Sequence, residues 1–425
     1  MLLGYAPRSG RSPQFGLRLT PRKVRDLPHI RRHSREKTHC IDSLMSKRII
    51  ILGGCGAMGS EATRDLARTS DFEEIVIADA DLKRAEALAS ELGGGRVRAI
   101  RVDANDEAAL TESLRGFDVV ANCTTYHFGL IVTRAAINAG VNYLDLGGLY
   151  NTPKQLEMDE EARHAGVTIC LGAGATPGVT NLMARAAADQ LDQVDEVHIA
   201  FASFRSIAPS PGLLDTVLDE FSPSSRRFFW QEGKFIETPA FSGAKQVRFA
   251  EPVGEIETFY VPHSETHTIH RFIGKGMRRV DVRGTWRPEI MRALRTFADL
   301  GLTGETTVDL DGQAISTRKL LRAHILQHAA DFCGEGEWAF LLNVEVLGEQ
   351  NGRPSRIEYV SRHPARAQWG TAATAMMTGI PASIAAQKLA RGEVSRTGEL
   401  APEACFDPAS FFAELATRGI IIERR

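Results

Sequence analysis

The sequence is poor in the features that mark specialised classes of protein. Its six cysteines are scattered over 425 residues, and no two form a C-x-x-C pair. That scarcity excludes a disulfide-stapled miniprotein and suits reduced thiols in a cytoplasmic protein. No apolar run approaches the roughly 20 residues that cross a bilayer, so a soluble chain away from membranes is expected. Residues 45–425 also lack low-complexity tracts and internal repeats. Basic charge is not in excess: 51 Lys and Arg face 53 Asp and Glu, and residues 45–425 alone hold 41 basic and 50 acidic side chains. A mildly acidic body lacks the clustered cations that phosphate contacts need, which argues against nucleic acid as a partner.

The missing basic charge sits at the start. Residues 1–44 carry ten Lys and Arg against three Asp and Glu, and Pro7, Pro13, Pro21 and Pro28 interrupt any helix. This stretch lacks the amphipathic pattern of a transit peptide. It reads as a disordered extension, with Met45 directly before a strand-like run as the expected start.

From Arg48 short β-branched runs alternate with amphipathic stretches. Strands are expected at 48–52, 74–78, 97–102, 118–122, 143–146 and 167–171. That alternation predicts an α/β fold, a Rossmann-type doubly wound parallel sheet over residues 45–177. After Gly178 the pattern changes, and a second, α+β domain is expected over 178–363. It includes a strand at 196–203, a Pro/Ser-rich stretch around 209–225, and strands 338–347 and 356–361 joined across Asn351-Gly352, a strong hairpin dipeptide. Residues 364–425 are expected to be helical, with Pro381 in the first turn of a new helix.

Directly after the first strand stands Gly54-Cys55-Gly56-Ala57-Met58-Gly59, a G-x-G-x-x-G opening a helix, and Asp79 ends the second strand. In this context the motif predicts a dinucleotide site. Gly54 is expected at the tight turn, Gly56 beneath the pyrophosphate and Gly59 at the helix–strand contact, with the helix N-terminus facing the phosphates. Asp79 would hold the ribose hydroxyls and favour NAD over NADP, a preference that Lys83 and Arg84 soften. The fourth strand ends at Asn122-Cys123-Thr124-Thr125-Tyr126-His127, the fifth at Asp145, the sixth at Gly172-Ala173-Gly174. All fall on the carboxyl edge where such sheets bind ligands, so Cys123, Thr124, Thr125 and Gly174 join the cofactor candidates. For His127 and Asp145 a turn-forming or capping role is an equal expectation.

These residues, with Asn142-Tyr-Leu-Asp145 and Gly172-Ala-Gly-Ala-Thr-Pro-Gly-Val-Thr-Asn181, resemble the saccharopine dehydrogenase-like superfamily. His263-Ser264-Glu265, Thr378-Gly-Ile-Pro-Ala-Ser383, Phe411-Phe412 and Arg418-Gly419-Ile420 are most similar to its lysine 6-dehydrogenase branch. The resemblance implies NAD-dependent oxidation of L-lysine at the ε-carbon, a homodimer or larger assembly, and a C-terminal segment that packs back on the nucleotide domain. The chain departs from saccharopine reductases at Thr176 and Asn181, where those enzymes tend to carry Asp and His.

Oxidising an amine requires a base for its proton and a carbon held against the nicotinamide. His127, His263 and Glu265 are the candidates. In a strand Glu265 would share a face with His263 and His267 and could fix an imidazole tautomer. An amino-acid or diamine substrate also needs its charged ends held. Arg271 and Arg283 are candidates for a carboxylate; Asp145, Thr176 and Asn181 are further substrate-binding candidates, and the helix N-terminus after Gly178 could hold a carboxylate or the nicotinamide amide. His263, His267 and His270 form H-x3-H-x2-H, but H-E-x-x-H is absent and no metal is expected. Two other readings stand beside lysine oxidation: reductive condensation of an amine with an oxo acid or semialdehyde, and a non-catalytic NAD sensor.

Overall fold

The computed structural model describes residues 47–208, 210–329 and 336–425. The expected extension at 1–44, Cys40 and Cys333 lie outside them. Among the described residues Cys55, Cys123, Cys170 and Cys405 carry no disulfide, and no helix is long and apolar enough to cross a membrane.

The nucleotide half is a parallel sheet of seven strands: β1 (Arg48–Leu52), β2 (Glu74–Asp79), β3 (Val97–Arg101), β4 (Val119–Asn122), β5 (Asn142–Asp145), β6 (Thr168–Cys170) and, far along the chain, β17 (Gly398–Leu400). The order is β3-β2-β1-β4-β5-β6-β17. Ile49, Ile50 and Ile51 are fully buried, because helices cover both faces of a doubly wound sheet. The order reverses between β1 and β4, which opens a crevice beyond their carboxyl ends.

The second half is a nine-stranded mixed sheet. Its main path runs β10 (Lys245–Arg248), β11 (Glu255–Tyr260), β12 (Arg279–Trp286), β7 (Gln193–Phe204), β15 (Ala339–Gln350), β16 (Arg353–Arg362) and β18 (Ile421–Arg424). The hairpin of β8 (Arg227–Gln231) and β9 (Lys234–Thr238) joins β12, and β13 (Thr307–Leu310) pairs with β14 (Gln313–Ser316) in a separate two-stranded sheet. The turn between β15 and β16 falls at Asn351 and Gly352, both at positive φ, as a type I′ hairpin requires. An α+β domain leads one to expect antiparallel pairing throughout, and β12 with β7 departs from it by running parallel.

The C-terminal segment serves both sheets. The helix Ala373–Ala390 packs against Ala57–Thr69, where a Cβ on Gly379 would lie 2.6 Å from the Met58 carbonyl. Ser383 donates to the buried Asp65 at 2.7 Å, and Arg418 pairs with the same carboxylate at 3.0 Å. Pro381 does not start a helix as expected; it lies inside this one, which is buried over most of its length. One hydrophobic core runs from Ile49 and Ile51 through the Val179–Ala188 helix to Val197, Val344 and Ile384.

Candidate active site

A cleft of about 540 Å³ lies between the carboxyl ends of β1, β2 and β4 and the inner face of the second sheet. That is the size of a small-ligand site. Gly53, Gly56, Ala57 and Met58 form its nucleotide wall with Asp79 and Arg84. The positive φ of the tight turn belongs to Gly53, at 68°, and not to Gly54 as expected. Gly54 instead packs on β1, where a Cβ would meet the Ile51 carbonyl at 2.9 Å, so it supports the loop without lining the cleft. Gly59 lies at the expected close contact: a Cβ there would sit 2.1 Å from the Gly53 carbonyl. The Ala57–Thr69 helix starts after Gly56 with no side-chain cap, which leaves its first N–H groups facing the cleft. This backbone cradle fits a dinucleotide pyrophosphate. Asp79 accepts from the Asp81 N–H at 3.0 Å, and Arg84 donates to the Cys55 carbonyl at 2.8 Å, so a carboxylate and a guanidinium stand side by side at the ribose end.

Cys123, Thr124, Thr125 and His127 line the same cleft. Burial pushes the Cys123 thiol up to about 12, which makes it an inert wall. His127 is exposed and stacks on Tyr126 at 4.1 Å, at the rim and away from the buried acid–base groups. Tyr126 reaches across the cleft to Asp219, its hydroxyl donating at 2.7 Å.

The acid–base centre lies on the opposite wall. His263 and Glu265 meet as expected, but in a different local structure: Glu265 opens the helix Glu265–Phe272 and His263 stands just before it. A helix turns His267 away from Glu265, into the aromatic ring cage of Phe228 and Phe235, and His270 stacks on Trp230. Burial drives His267 down to about 4. Among the described residues no metal-binding cluster forms.

His263 Nδ1 donates to Glu265 Oε2 at 3.1 Å, while Thr176 and Thr180 donate to Glu265 Oε1 at 2.6 and 2.9 Å. On its other side, His263 Nε2 lies 3.6 Å from Glu220 Oε1. Burial alone would hold His263 down, but Glu265 and Glu220 together push it up to about 10. Burial likewise works against the charge on Glu265, yet the imidazolium and the threonine hydroxyls hold its carboxyl below the ordinary range. The next residue, Ser264, accepts from Thr152 Oγ1 at 2.8 Å and ties this wall to the nucleotide half.

Glu220 escaped the sequence reasoning. It lies on the helix Pro211–Phe221, inside the Pro/Ser-rich stretch to which the sequence reading assigns no helix. The signal was present in Leu214, Val217, Leu218 and Phe221, an apolar face at helical spacing. Glu220 lines the cleft, is 3% exposed, and its Oε2 has no hydrogen-bond partner among the described residues. Arg205, just past the end of β7, is the second residue missed, also a buried member of the cleft wall.

Several expected ligands lie elsewhere. Arg271 is exposed beyond the cleft, against Phe272. Arg283 sits on the outer face of the second sheet, where Asp281, Tyr260 and the Gly243 carbonyl hold it. Asp145 is fully engaged, taking the N–H groups of Gly147 and Gly172 at 3.0 and 2.7 Å together with Tyr143 and Gln155. Asn181 caps Gly178 N at 2.8 Å and donates to Glu403, and Val179 N is taken by the Gly174 carbonyl. The helix N-terminus expected to receive a substrate carboxylate is therefore closed by its own chain, and Gly174 and Asn181 are structural. Thr176 does line the cleft.

Comparison with known proteins agrees with this architecture. Residues 49–170 match the saccharopine dehydrogenase NADP binding domain, and residues 174–420 match the saccharopine dehydrogenase C-terminal domain. The carboxyaminopropylagmatine dehydrogenase of Synechocystis is 22% identical over 88% of this chain and 96% of its own length. The carboxynorspermidine synthase of Vibrio cholerae is 22% identical over 86% of this chain and 94% of its own. Among solved structures, saccharopine dehydrogenase (L-Glu forming) from Saccharomyces cerevisiae superimposes with a TM-score of 0.65 at 19% identity, over 89% of this chain and 99% of that one.

Proposed function

The chain belongs to the saccharopine dehydrogenase family of NAD(P)-dependent oxidoreductases, and from that premise we propose that it oxidises L-lysine at the ε-carbon with NAD. Membership in a family of dehydrogenases sets aside the non-catalytic sensor. The observation that carries the substrate reading is the buried row Glu220–His263–Glu265 in the cleft wall, with Glu220 Oε2 buried and without a hydrogen-bond partner among the described residues. Two carboxylates around one imidazolium give this row of three an excess of one negative charge, which suits an amine arriving as its cation.

A bound nicotinamide supplies the hydride acceptor, and the chain supplies position and proton handling. Gly53, Gly56, Ala57 and Met58 would hold the pyrophosphate and Asp79 the ribose hydroxyls, the basis for NAD in this reading. Glu220 Oε2 accepts a hydrogen bond from the substrate ammonium, and His263 behind it accepts the proton that must leave nitrogen before the carbon is oxidised. Glu265, fixed by two threonine hydroxyls, holds the ring in place. Because His263 titrates near 10, it is free to take a proton only at alkaline pH, so oxidation should quicken as pH rises toward that value.

The second reading, reductive condensation of an amine with an oxo acid or semialdehyde, is favoured by the full-length likeness to the two relatives named above. One experiment separates them: absorbance at 340 nm with NAD⁺ or NADP⁺ and a panel of L-lysine, ornithine, diamines and saccharopine. Turnover of lysine with NAD⁺ alone supports lysine oxidation. Cofactor consumption only in the reverse sense, with NAD(P)H, an amine and an oxo acid, would replace it with condensation.

A further inference from the structure

Resting on the C–N oxidoreductase reading, we propose that Arg205 receives a substrate carboxylate in the cleft and so restricts the enzyme to carboxylated amines. Arg205 is 3% exposed and lines the cleft on the same wall as Glu220. Its Nε donates to Ser203 Oγ at 3.1 Å, and its Nη1 to the carbonyls of Ser206 and Ile207 at 3.0 and 3.4 Å. These bonds fix the plane of the guanidinium beside the Trp286 ring, 6.0 Å from its centre. The remaining nitrogen, Nη2, has no hydrogen-bond partner among the described residues, and no Asp or Glu among them forms an ion pair with this guanidinium.

Of the other buried arginines, Arg283 pairs with Asp281 at 3.2 Å, whereas Arg227, 1% exposed and outside the cleft lining, gives Nε and Nη2 to the carbonyls of Glu220 and Ser222 and has no carboxylate partner among the described residues. A guanidinium removed from water without an anion is unfavourable unless a ligand completes it. Burial lowers Arg205 to about 10 with only Glu220 pulling the other way, which agrees with a missing counter-anion. This one wall therefore carries one unfilled donor, Arg205 Nη2, and one unfilled acceptor, Glu220 Oε2. A molecule with a carboxylate at one end and an amine at the other satisfies both, whereas a plain diamine leaves Arg205 unmatched. Lysine and N-carboxyalkyl amines share that chemistry.

The test uses the full chain and compares L-lysine with 1,5-diaminopentane, which keeps the amine and lacks the carboxylate. Arg205→Gln should raise KM for lysine roughly 10- to 100-fold, the worth of a charged hydrogen bond. Its kcat should change less and KM for the diamine should stay the same; Arg205→Lys should restore part of the lysine preference. An unchanged lysine-to-diamine ratio in a folded Arg205→Gln enzyme would overturn the assignment. Calorimetric titration of norleucine, which has the carboxylate but no distal amine, into enzyme plus NAD⁺ gives a readout without turnover. Binding lost in Arg205→Gln upholds Arg205 even if no amine is oxidised, in which case it is the lysine reading that falls. Equal norleucine binding in wild type and variant removes Arg205 whatever the turnover. Should Arg205→Gln fail to fold, as judged by its melting curve, the same measurements on Arg205→Lys decide, with intermediate binding expected.

Discussion

The nucleotide wall of the cleft is made largely of main chain, whereas the facing wall is made of side chains drawn from separate segments. Gly53, Gly56 and the uncapped start of a helix present N–H groups and open space. His263, Glu265, Glu220 and Arg205 present charge, from a loop, two helices and the end of a strand. A backbone site tolerates almost no added atom but is indifferent to pH. A site of paired charges has room for conservative replacement, yet its behaviour changes with every proton.

Gly59→Val attacks the backbone wall hardest. With a Cβ only 2.1 Å from the Gly53 carbonyl, the loop must open, and we expect NAD affinity to fall at least about 100-fold with several kcal/mol of lost stability. Calorimetry and a melting curve measure both; retention of affinity within tenfold would break the contrast. Glu265→Gln probes the charged wall. It should lower kcat about 100-fold and move the rising limb of the pH–rate profile below 10, while NAD affinity stays within about twofold.

The same pair sets a stability profile. His263 has a folded pKa above its ordinary 6.5, so its contribution is complete below that pH and is lost as pH rises through about 10. Denaturant midpoints measured from pH 6 to 10 should decline in wild type and decline less in Glu265→Gln. Asp79→Ala is milder: KM for NAD should rise about tenfold, with NADP gaining through Arg84, as initial rates with each cofactor will tell. Smallest of all, Arg271→Ala should leave KM and kcat for lysine within about twofold, since that side chain lies outside the cleft. A larger effect would place the charged wall elsewhere.

Legibility followed the same division. The parallel sheet and the glycine fingerprint are local patterns, so strand spacing and G-x-G-x-x-G announced them, though the positive φ fell one residue earlier than the motif suggests. His263 and Glu265 were found as neighbours in sequence, and their contact survived an error about the strand because two residues apart is close in either conformation. Glu220 and Arg205 lie 43 and 58 residues before His263, and only tertiary packing brings them to it. Arg283 misled for the converse reason. It stands on a strand of the right domain, and alternation along β12 sends it to the outer face while Trp286 faces the cleft.

The Ala373–Ala390 helix and β17 have a bearing on how the protein is made. The helix covers the Ala57–Thr69 helix, and β17 closes the edge of a sheet whose other strands end at residue 170. A ribosome that has translated only the fingerprint and the first six strands has therefore released a sheet with one edge unpaired and an apolar face uncovered. More than two hundred codons remain before the piece that seals it. Nascent chains of this length should be clients of chaperones. A transcript cut before the last strand of the nucleotide sheet should yield aggregate rather than a smaller nucleotide-binding protein, although every residue of the fingerprint is present.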